Sequence, residues 1–204
     1  ADIAYRDGRF EVVGTDRRIS LFELATRAKE MKQRGEIAED LDTKTTAETP
    51  QAFPNGCHIA EVEIDRDTGQ MAVVSYTAVD DSGNILDHMI VEGQFHGALA
   101  QGLGQAIGEH VVYDPDGGQL LSGSFMDYMM PRAVDMPAIR DQMHIVPATT
   151  NPLGVKGVGE AATTGAIATV MSAVDDAIAG APGALMEMPA TAEKVWKAIR
   201  AHSA

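Results

Sequence analysis

The stretch Val155-Lys156-Gly157-Val158-Gly159-Glu160-Ala161-Ala162 carries more structural information than any other part of this 204-residue chain. Its glycines predict a tight loop that lets a ligand approach the backbone closely. The small residues after it predict a long helix, whose N-terminus offers unpaired N–H groups and the positive end of the helix dipole. The stretch therefore combines an anion cradle with one carboxylate, although a glutamate in a first turn is also ordinary helix chemistry.

Composition and charge exclude several classes of function. Hydrophobic residues make up 45% of the chain, which predicts a folded core. The formal net charge of −14 argues against nucleic acid and anionic membranes as partners, and solubility is its simplest explanation. The single cysteine, Cys57, excludes an internal disulfide framework. Because no apolar run reaches the length of a membrane span and no signal peptide is recognised, we expect a cytoplasmic protein.

Other candidate chemistry in the sequence is weak. The six histidines lack H-x-x-x-H and H-E-x-x-H spacing, so we expect no metal site made by this chain. No G-x-S-x-G motif indicates a serine nucleophile. The neighbouring carboxylates Asp80 and Asp81 are expected to be solvated at a strand end. The methionines around Tyr128 are expected to fill a core.

The first part of the chain predicts a hairpin, a helix and a linker. Arg6-Asp7-Gly8-Arg9 is a hairpin turn signal between two apolar stretches. Ser20 and Glu23 form an S-x-x-E capping box, which predicts a helix over residues 21–34. The acidic, threonine-rich residues that follow have no periodicity and predict a linker. Such a piece buries little core of its own, so we interpret residues 1–54 as the end of a domain that begins upstream.

Residues 55–204 predict a second domain of mixed strands and helices. Alternation and the lengths of the apolar segments predict strands over residues 58–65, 71–79, 119–124 and 139–146, and helices over residues 90–113, 161–179 and 192–201. The last helix is expected to follow a Pro182-Gly183 turn, to begin after Thr191 and to use Trp196 as a core anchor. The predicted fold class is therefore mixed α/β (α+β).

The predicted helix over residues 90–113 is unusual because it contains five glycines. Each glycine costs about 1 kcal/mol relative to alanine in a helix interior. Close packing against a neighbouring element explains such a pattern. The alternative is a break near Gln101-Gly102-Leu103-Gly104-Gln105, where backbone and glutamine side chains would meet a ligand.

Three blocks of the sequence resemble the molybdenum hydroxylases, the family of the xanthine dehydrogenase, aldehyde oxidoreductase and aerobic carbon monoxide dehydrogenase large subunits. The blocks are Val91-Glu92-Gly93-Gln94 through Gln101-Gly102-Leu103-Gly104-Gln105-Ala106, Gln119-Leu120-Leu121-Ser122 through Tyr128-Met129-Met130-Pro131-Arg132, and Asn151-Pro152-Leu153-Gly154 through Glu160. They occur in the family's order and with similar spacing. The resemblance runs from about residue 1 to the C-terminus. It implies that the chain is the C-terminal molybdopterin-binding domain of such a large subunit.

The resemblance also implies roles for particular residues. Glu160 matches the glutamate of the family's G-x-G-E motif, a catalytic base that works beside a molybdenum ion held by a pyranopterin dithiolene. Gln101 matches the glutamine of the family's Q-G-x-G motif, which contacts the pterin. The loop that contacts the cofactor in the family corresponds to four residues here: Lys156, Gly157, Val158 and Gly159.

The implied cofactor is molybdenum-molybdopterin, shared with the upstream portion of the subunit, and its dinucleotide form stays open, the cytosine dinucleotide being one alternative. The implied partners are the remaining molybdopterin-binding portion, an iron–sulfur subunit and a flavin subunit that carries FAD. The implied substrate is a small molecule: an aldehyde, a purine, another N-heterocycle or carbon monoxide. Because the family's large subunits are several times longer, we interpret the chain as a C-terminal portion, whether a split subunit, a proteolytic product or a cloned fragment.

Two other functions stay open at this point. The chain could be a non-catalytic fragment or interaction subunit that holds no cofactor. It could also be a generic nucleotide or phosphate binder built on the glycine loop. Retention of Glu160 at the end of its motif favours the catalytic interpretation over both.

Overall fold

The computed structural model describes residues 2–179 and 186–202, and the chain divides after Glu48 into two compact units. The first unit contains an antiparallel sheet in the order β1-β2-β3 and one helix. Its elements are β1 (Ile3–Arg6), β2 (Arg9–Val12), β3 (Arg18–Ser20) and α1 (Leu21–Gln33). Asp7 and Gly8 join the first two strands with φ angles of 49° and 76°, the conformation that a tight hairpin turn needs. The predicted hairpin is confirmed, and the short β3 is an addition to it.

Helix α1 begins where its sequence predicts, because its capping box forms. The Ser20 hydroxyl accepts a hydrogen bond from the Glu23 N–H at 3.2 Å, and the Glu23 carboxylate accepts one from the Ser20 N–H at 3.0 Å. Gly35, with a φ of 73°, follows its C-terminal end. No residue of α1 is buried.

In the residues that the structure describes, the second unit contains a three-stranded sheet, three α-helices and a short 3-10 helix (Ala133–Asp135), which confirms the mixed α/β fold class. Strand β4 is antiparallel to β5, and β5 is parallel to β6. The elements are β4 (Asn55–Ile64), β5 (Met71–Asp81), α2 (His88–Ile107), β6 (Ala138–Met143), α3 (Ala161–Ala179) and α4 (Ala192–His202). Helix α3 spans the residues that the small-residue pattern predicts.

Strand β4 alternates between two faces as its sequence predicts. Ala60, Val62 and Ile64 are partly buried and pack against the core. His58 lies on the same face by the period-two rule, whereas the thiol-bearing residue Cys57 is exposed. The alternation therefore directs an imidazole toward the interior of the second unit.

Helices α2 and α3 pack closely through a glycine. A Cβ atom at Gly102 would lie 2.8 Å from the Cβ of Ala166, and the Thr163 hydroxyl donates a hydrogen bond to the Ala98 carbonyl at 2.8 Å. Close packing thus explains Gly102. Helix α2 runs to Ile107 without a break near Gln101 and ends before the predicted Tyr113. The largest fully buried side chains of the core are Tyr76, Phe95, Leu99, Leu103, Val170, Val174 and Val195.

Two strand predictions need correction. Residues 119–124 are not a strand, because the chain folds back on itself there through a single bridge between Tyr113 and Leu120. Strand β6 ends at Met143 rather than Val146, because the Val146 N–H donates to the carboxylate of Asp81 instead of a strand backbone. Met126, in the methionine cluster, is 92% exposed, so the expectation that this cluster fills the core is wrong.

Helix α4 follows Thr191, whose hydroxyl accepts a hydrogen bond from the Lys194 N–H at 3.4 Å. Val195 and Ile199 are its buried residues, and Trp196 is 38% exposed, so the prediction that the tryptophan anchors the core is wrong. The predicted Pro182-Gly183 turn lies outside the described residues. Among the described helices, none combines the length and the hydrophobicity that crossing a membrane requires.

Candidate functional site

One side of the glycine loop ahead of α3 is hydrogen-bonded within itself and to the segment that follows β5. We call this side, Asn151 and Gly154–Lys156, the rear side of the loop. The Asn151 side chain donates to the Val155 carbonyl at 2.9 Å and accepts from the Val155 N–H at 3.1 Å. The Lys156 N–H donates to the Ser82 carbonyl at 3.0 Å. A side chain and the neighbouring segment therefore fix the backbone of the loop before it reaches the helix.

An ion pair completes the rear side. The Lys156 ammonium pairs with the Asp81 carboxylate, and each side chain is only 10% exposed. Asp81 also accepts hydrogen bonds from the N–H groups of Gly83 and Val146, both at 2.9 Å. Burial by itself would raise the pKa of Asp81, but the ammonium and these two N–H donors outweigh it and lower the pKa. The expectation that Asp81 is solvated is therefore wrong.

The other side of the loop, which we call its cavity side (Gly157–Glu160), lines a cavity of about 750 Å³. The cavity is also lined by residues 53–56, by His58 and Asp80 of the sheet, and by residues of α3 as far as Thr169. Nothing lies within 4 Å of the position that a Cβ atom would take at Gly157. A ligand can therefore approach the backbone of the loop closely.

The cavity side presents backbone hydrogen-bond donors. In the part of the chain that the structure describes, no protein acceptor receives the backbone N–H groups of Gly157, Val158, Gly159 and Glu160. These groups lie directly before α3, at the positive end of its dipole. Four free donors at a helix N-terminus suit an anionic group, such as the phosphate of a pterin cofactor.

Glu160 stands at the entrance of α3 with its main chain fixed and its side chain exposed. Its carbonyl accepts hydrogen bonds from the Thr164 N–H and hydroxyl, both at 3.1 Å. Glu160 is one of the residues that line the cavity, and among the described residues no side chain or N–H group pairs with its carboxylate. This carboxylate can therefore accept a proton from a group bound in the cavity.

The six residues assigned from the sequence fall into three places. Glu160, Gly157, Val158 and Gly159 line one cavity. Lys156 belongs to the rear side, since its ammonium is bound by Asp81. Gln101 is exposed on α2 and does not line the cavity. Gln94, two turns earlier, brings its side-chain oxygen within 3.2 Å of the Cβ position of Gly159, so this face of α2 reaches the loop at Gln94.

Sequence reasoning missed a buried polar group on the floor of the cavity. His58 Nε2 lies 3.1 Å and 3.2 Å from the two carboxylate oxygens of Asp80, and His58 Nδ1 lies 2.7 Å from the Tyr76 hydroxyl. The side chains of His58 and Asp80 are 5% and 4% exposed, so the expectation that Asp80 is solvated is also wrong. The inward position of His58 in β4 is the one sequence signal that could have indicated this group.

One cluster outside the cavity has the composition of a metal site. Ligand atoms of Glu92 and His96 on α2 and of Asp141 on β6 lie within 4.8 Å of one another. His96 Nε2 is 3.5 Å from the Asp141 carboxylate, and the histidine side chain is 41% exposed. His96 Nε2 is itself buried and has no hydrogen-bond partner among the described residues. Because the cluster is partly exposed and its composition is common on protein surfaces, we assign no metal to it.

Comparison with known proteins shows the family to which the chain belongs. Residues 1–137 match the family model of the molybdopterin cofactor-binding domain. The chain is 33% identical to the carbon monoxide dehydrogenase large chain of Hydrogenophaga pseudoflava over 204 residues, which are 99% of this chain and 25% of that protein.

Solved structures give the same relationship. Carbon monoxide dehydrogenase from Oligotropha carboxidovorans is similar with a TM-score of 0.77 and 30% identity, over 99% of this chain and 25% of that one. Quinoline 2-oxidoreductase from Pseudomonas putida 86 is similar with a TM-score of 0.76 and 36% identity, over 98% of this chain and 26% of that one. The chain thus spans about a quarter of the length of the relatives it matches.

Proposed function

Because this chain belongs to the molybdopterin cofactor-binding domain family of the molybdenum hydroxylases, we propose that it supplies Glu160 as the catalytic base of such an enzyme. The observation that carries the proposal is the shared cavity. An unpaired carboxylate and a run of free backbone donors line the same space at the N-terminus of α3. An anionic cofactor would be bound by the donors while the carboxylate faces the group that reacts.

The cofactor and the loop would divide the work between them. When bound, molybdenum-molybdopterin supplies an acceptor for two electrons and a Lewis-acidic centre for hydroxylation. The N–H groups of Gly157, Val158 and Gly159 would hold its anionic part, and Gln101 would contact the pterin from α2. Glu160 would take up the proton released during hydroxylation and later give it to solvent.

Fixed main chain and free side chain suit Glu160 to this role. The hydrogen bonds from Thr164 to its carbonyl hold the main chain, so the carboxylate extends from one fixed Cα atom. The rear side of the loop prevents the segment from moving away from the cavity, because Lys156 is bound to Asp81. A base that is held in place before the reaction needs little reorganisation during it.

The remaining features of the enzyme are part of the same proposal. Residues 1–54 would be the end of an upstream domain and residues 55–204 the C-terminal molybdopterin-binding domain. An upstream portion would complete the cofactor pocket, and an iron–sulfur subunit and an FAD subunit would carry the electrons away in the cytoplasm. The substrate would be an aldehyde, a purine, another N-heterocycle or carbon monoxide. The names of the relatives support this breadth, since one acts on carbon monoxide and another on quinoline.

A second candidate function is a non-catalytic fragment or interaction subunit without cofactor. The observation that favours it is the separation of the assigned residues, because Lys156 is occupied by Asp81 and Gln101 does not line the cavity. Molybdenum analysis of the assembled complex separates the two functions. Stoichiometric metal supports the catalytic one, and a complex that assembles without metal supports the interaction subunit.

The decisive experiment is Glu160→Gln in the assembled enzyme. Glutamine keeps the size of the side chain and its hydrogen-bonding capacity, so molybdenum content should equal that of the wild type. The rate per molybdenum should fall by about 10²–10⁴-fold, the usual cost of losing a general base. Glu61→Gln, on the exposed face of β4, is the matched control and should leave the rate unchanged. Near wild-type turnover of Glu160→Gln would show that this glutamate is only a helix-start acid.

A further inference from the structure

Asp80, His58 and Tyr76 form a continuous hydrogen-bonded chain from the floor of the cavity into the core. Tyr76 is fully buried, and the side chains of His58 and Asp80 are almost so. The chain begins on β5, crosses to β4 and returns to β5, so it is held by two paired strands. It is built from three polar groups in a place where apolar packing would be the simplest solution.

The two partners of the imidazole favour one tautomer of its ring. A neutral imidazole has one donor and one acceptor nitrogen. A carboxylate only accepts, so in a neutral ring Nε2 carries the proton and donates to Asp80, which leaves Nδ1 to accept from the Tyr76 hydroxyl. Burial is the main reason that the pKa of Tyr76 is raised to about 12, with Asp80 adding to the rise, so the hydroxyl remains a donor. The ring of His58 therefore has one favoured tautomer and one favoured position.

Helix α3 lies directly on this chain. A Cβ atom at Gly165 would overlap the imidazole of His58, so the helix backbone contacts the ring itself. The Gly165 carbonyl accepts a hydrogen bond from the Thr169 hydroxyl at 2.7 Å, one turn later in the helix. The contact at Gly165 is five residues after Glu160, which corresponds to about 7.5 Å along a helix. The imidazole and the first turns of α3 are therefore in direct contact.

We propose that Asp80, His58 and Tyr76 are positioning residues that set the height of the N-terminus of α3, and with it Glu160, over the cavity. The proposal rests on the proposed function, because it takes Glu160 as the base. The imidazole acts as a spacer of defined orientation beneath Gly165. A hydrophobic side chain of similar volume would fill the space without fixing the helix along its axis.

The loss of turnover expected from a displaced Glu160 follows from the geometry of proton transfer. A general base works within hydrogen-bond reach, about 2.6–3.2 Å between heavy atoms. A misplacement of about 1 Å can cost on the order of 100-fold in rate. A helix that shifts by a fraction of its rise per residue would thus lower turnover without releasing the cofactor.

The test uses the assembled enzyme with His58→Leu, the double variant His58→Leu/Glu160→Gln and the rescue variant His58→Gln. His58→Leu should lower the rate per molybdenum by about 10- to 100-fold. In the Glu160→Gln background, His58→Leu should lower the rate per molybdenum by less than about a further 3-fold. The two changes are not additive, because each of them disables the same base. His58→Gln should recover most of the rate, since an amide both donates and accepts.

A purely structural role would produce a different pattern, and Val195→Ala is its control. Val195 is fully buried in α4 and does not line the cavity, so its truncation should lower the melting temperature without removing a residue of the cavity wall. Val195→Ala should leave the rate per molybdenum within about 2-fold of wild type. If His58→Leu lowers only the melting temperature, as Val195→Ala does, the positioning role is wrong.

Amide hydrogen exchange keeps the proposal separate from the assignment of Glu160. His58→Leu should speed exchange at residues 158–169 relative to Val195→Ala, whatever the chemical role of Glu160. Normal turnover of Glu160→Gln would overturn the proposed base while the exchange result still tests the positioning. If His58→Leu does not fold, Tyr76→Phe removes a single hydroxyl. It should produce the same pattern with a smaller amplitude, and unchanged exchange and rate in it would overturn the proposal.

Discussion

The rear side and the cavity side of the glycine loop are adjacent in sequence but opposite in their bonding. On the rear side, Asn151, Val155 and Lys156 satisfy one another or the end of β5, and an ion pair is buried there. On the cavity side, the N–H groups of Gly157–Glu160 have no protein acceptor among the described residues. The comparison teaches that the rear side stabilises the loop, whereas the cavity side is left free for a ligand.

Lys156→Met should have the largest effect on stability. It leaves the Asp81 carboxylate buried without its ammonium, and breaking a buried ion pair in this way costs about 3–5 kcal/mol. Urea unfolding of the purified chain measures the loss. The matched control is Lys197→Met, which removes the exposed pair with Glu193 and should leave the urea midpoint nearly unchanged. Equal losses for the two variants would contradict the assignment of stability to the rear side.

The pH dependence of stability sharpens the same assignment. The pKa of Asp81 is lower in the folded chain than its ordinary value of about 3.9. Its contribution is therefore fully present above the ordinary value and is lost as the pH falls through the folded value. The difference in stability between wild type and Lys156→Met should narrow below about pH 4. A difference that stays constant down to pH 2 would mean that the carboxylate does not carry it.

Two alanine substitutions in the loop compare its sides directly. Gly154 has a φ of 67°, and its added Cβ would meet Asn84 and Pro147, so Gly154→Ala should cost about 1–3 kcal/mol. Gly157 has open space around its Cβ position, so Gly157→Ala should change stability by less than about 0.5 kcal/mol. In the assembled enzyme the added methyl group should instead lower molybdenum content. Chemical unfolding and metal analysis of both variants measure these effects. If Gly157→Ala proved less stable than Gly154→Ala, the assignment of stability to the rear side would be contradicted.

Gln101→Ala should have the smallest effect on stability, within about 0.5 kcal/mol, because the side chain is exposed on α2. If Gln101 contacts the pterin, this variant should lower molybdenum content more than the rate per bound molybdenum. Gln119→Ala, an exposed glutamine elsewhere in the chain, serves as the control. Unchanged metal content in Gln101→Ala would remove this glutamine from the cofactor site.

The sequence predicts best what depends on a few neighbouring residues. The hairpin turn at Asp7-Gly8, the capping box at Ser20 and the start of α3 after Glu160 are each decided within one turn of chain, and all three are observed. Helix α2 shows the limit, since its glycines fit both close packing and a break near Gln101, and only the contact of Gly102 with α3 decides for close packing.

The burial of Asp80 and Asp81 could not be predicted from the sequence, because their partners lie far from them along the chain. Asp80 and Asp81 look alike in the sequence, yet the strand directs their side chains to opposite faces. One meets His58 from the neighbouring strand, and the other meets Lys156 from a loop that follows β6. Nothing local indicates either partner, because the register of the sheet and the return of the chain after β6 decide both.

The residues that line the cavity come from segments far apart in the sequence, and this has a consequence for biosynthesis. The cavity wall begins at Phe53, continues at Asp80 and is closed only by residues up to Thr169 of α3. A ribosome releases these segments in that order. The face of β4 and β5 that α3 covers, which is partly apolar, therefore stays exposed until α3 has been synthesised. Closing such long loops is also the slow part of folding. A cofactor that binds in this cavity therefore has to be inserted into a nearly completed protein, and conditions that delay insertion should accumulate a folded but empty form.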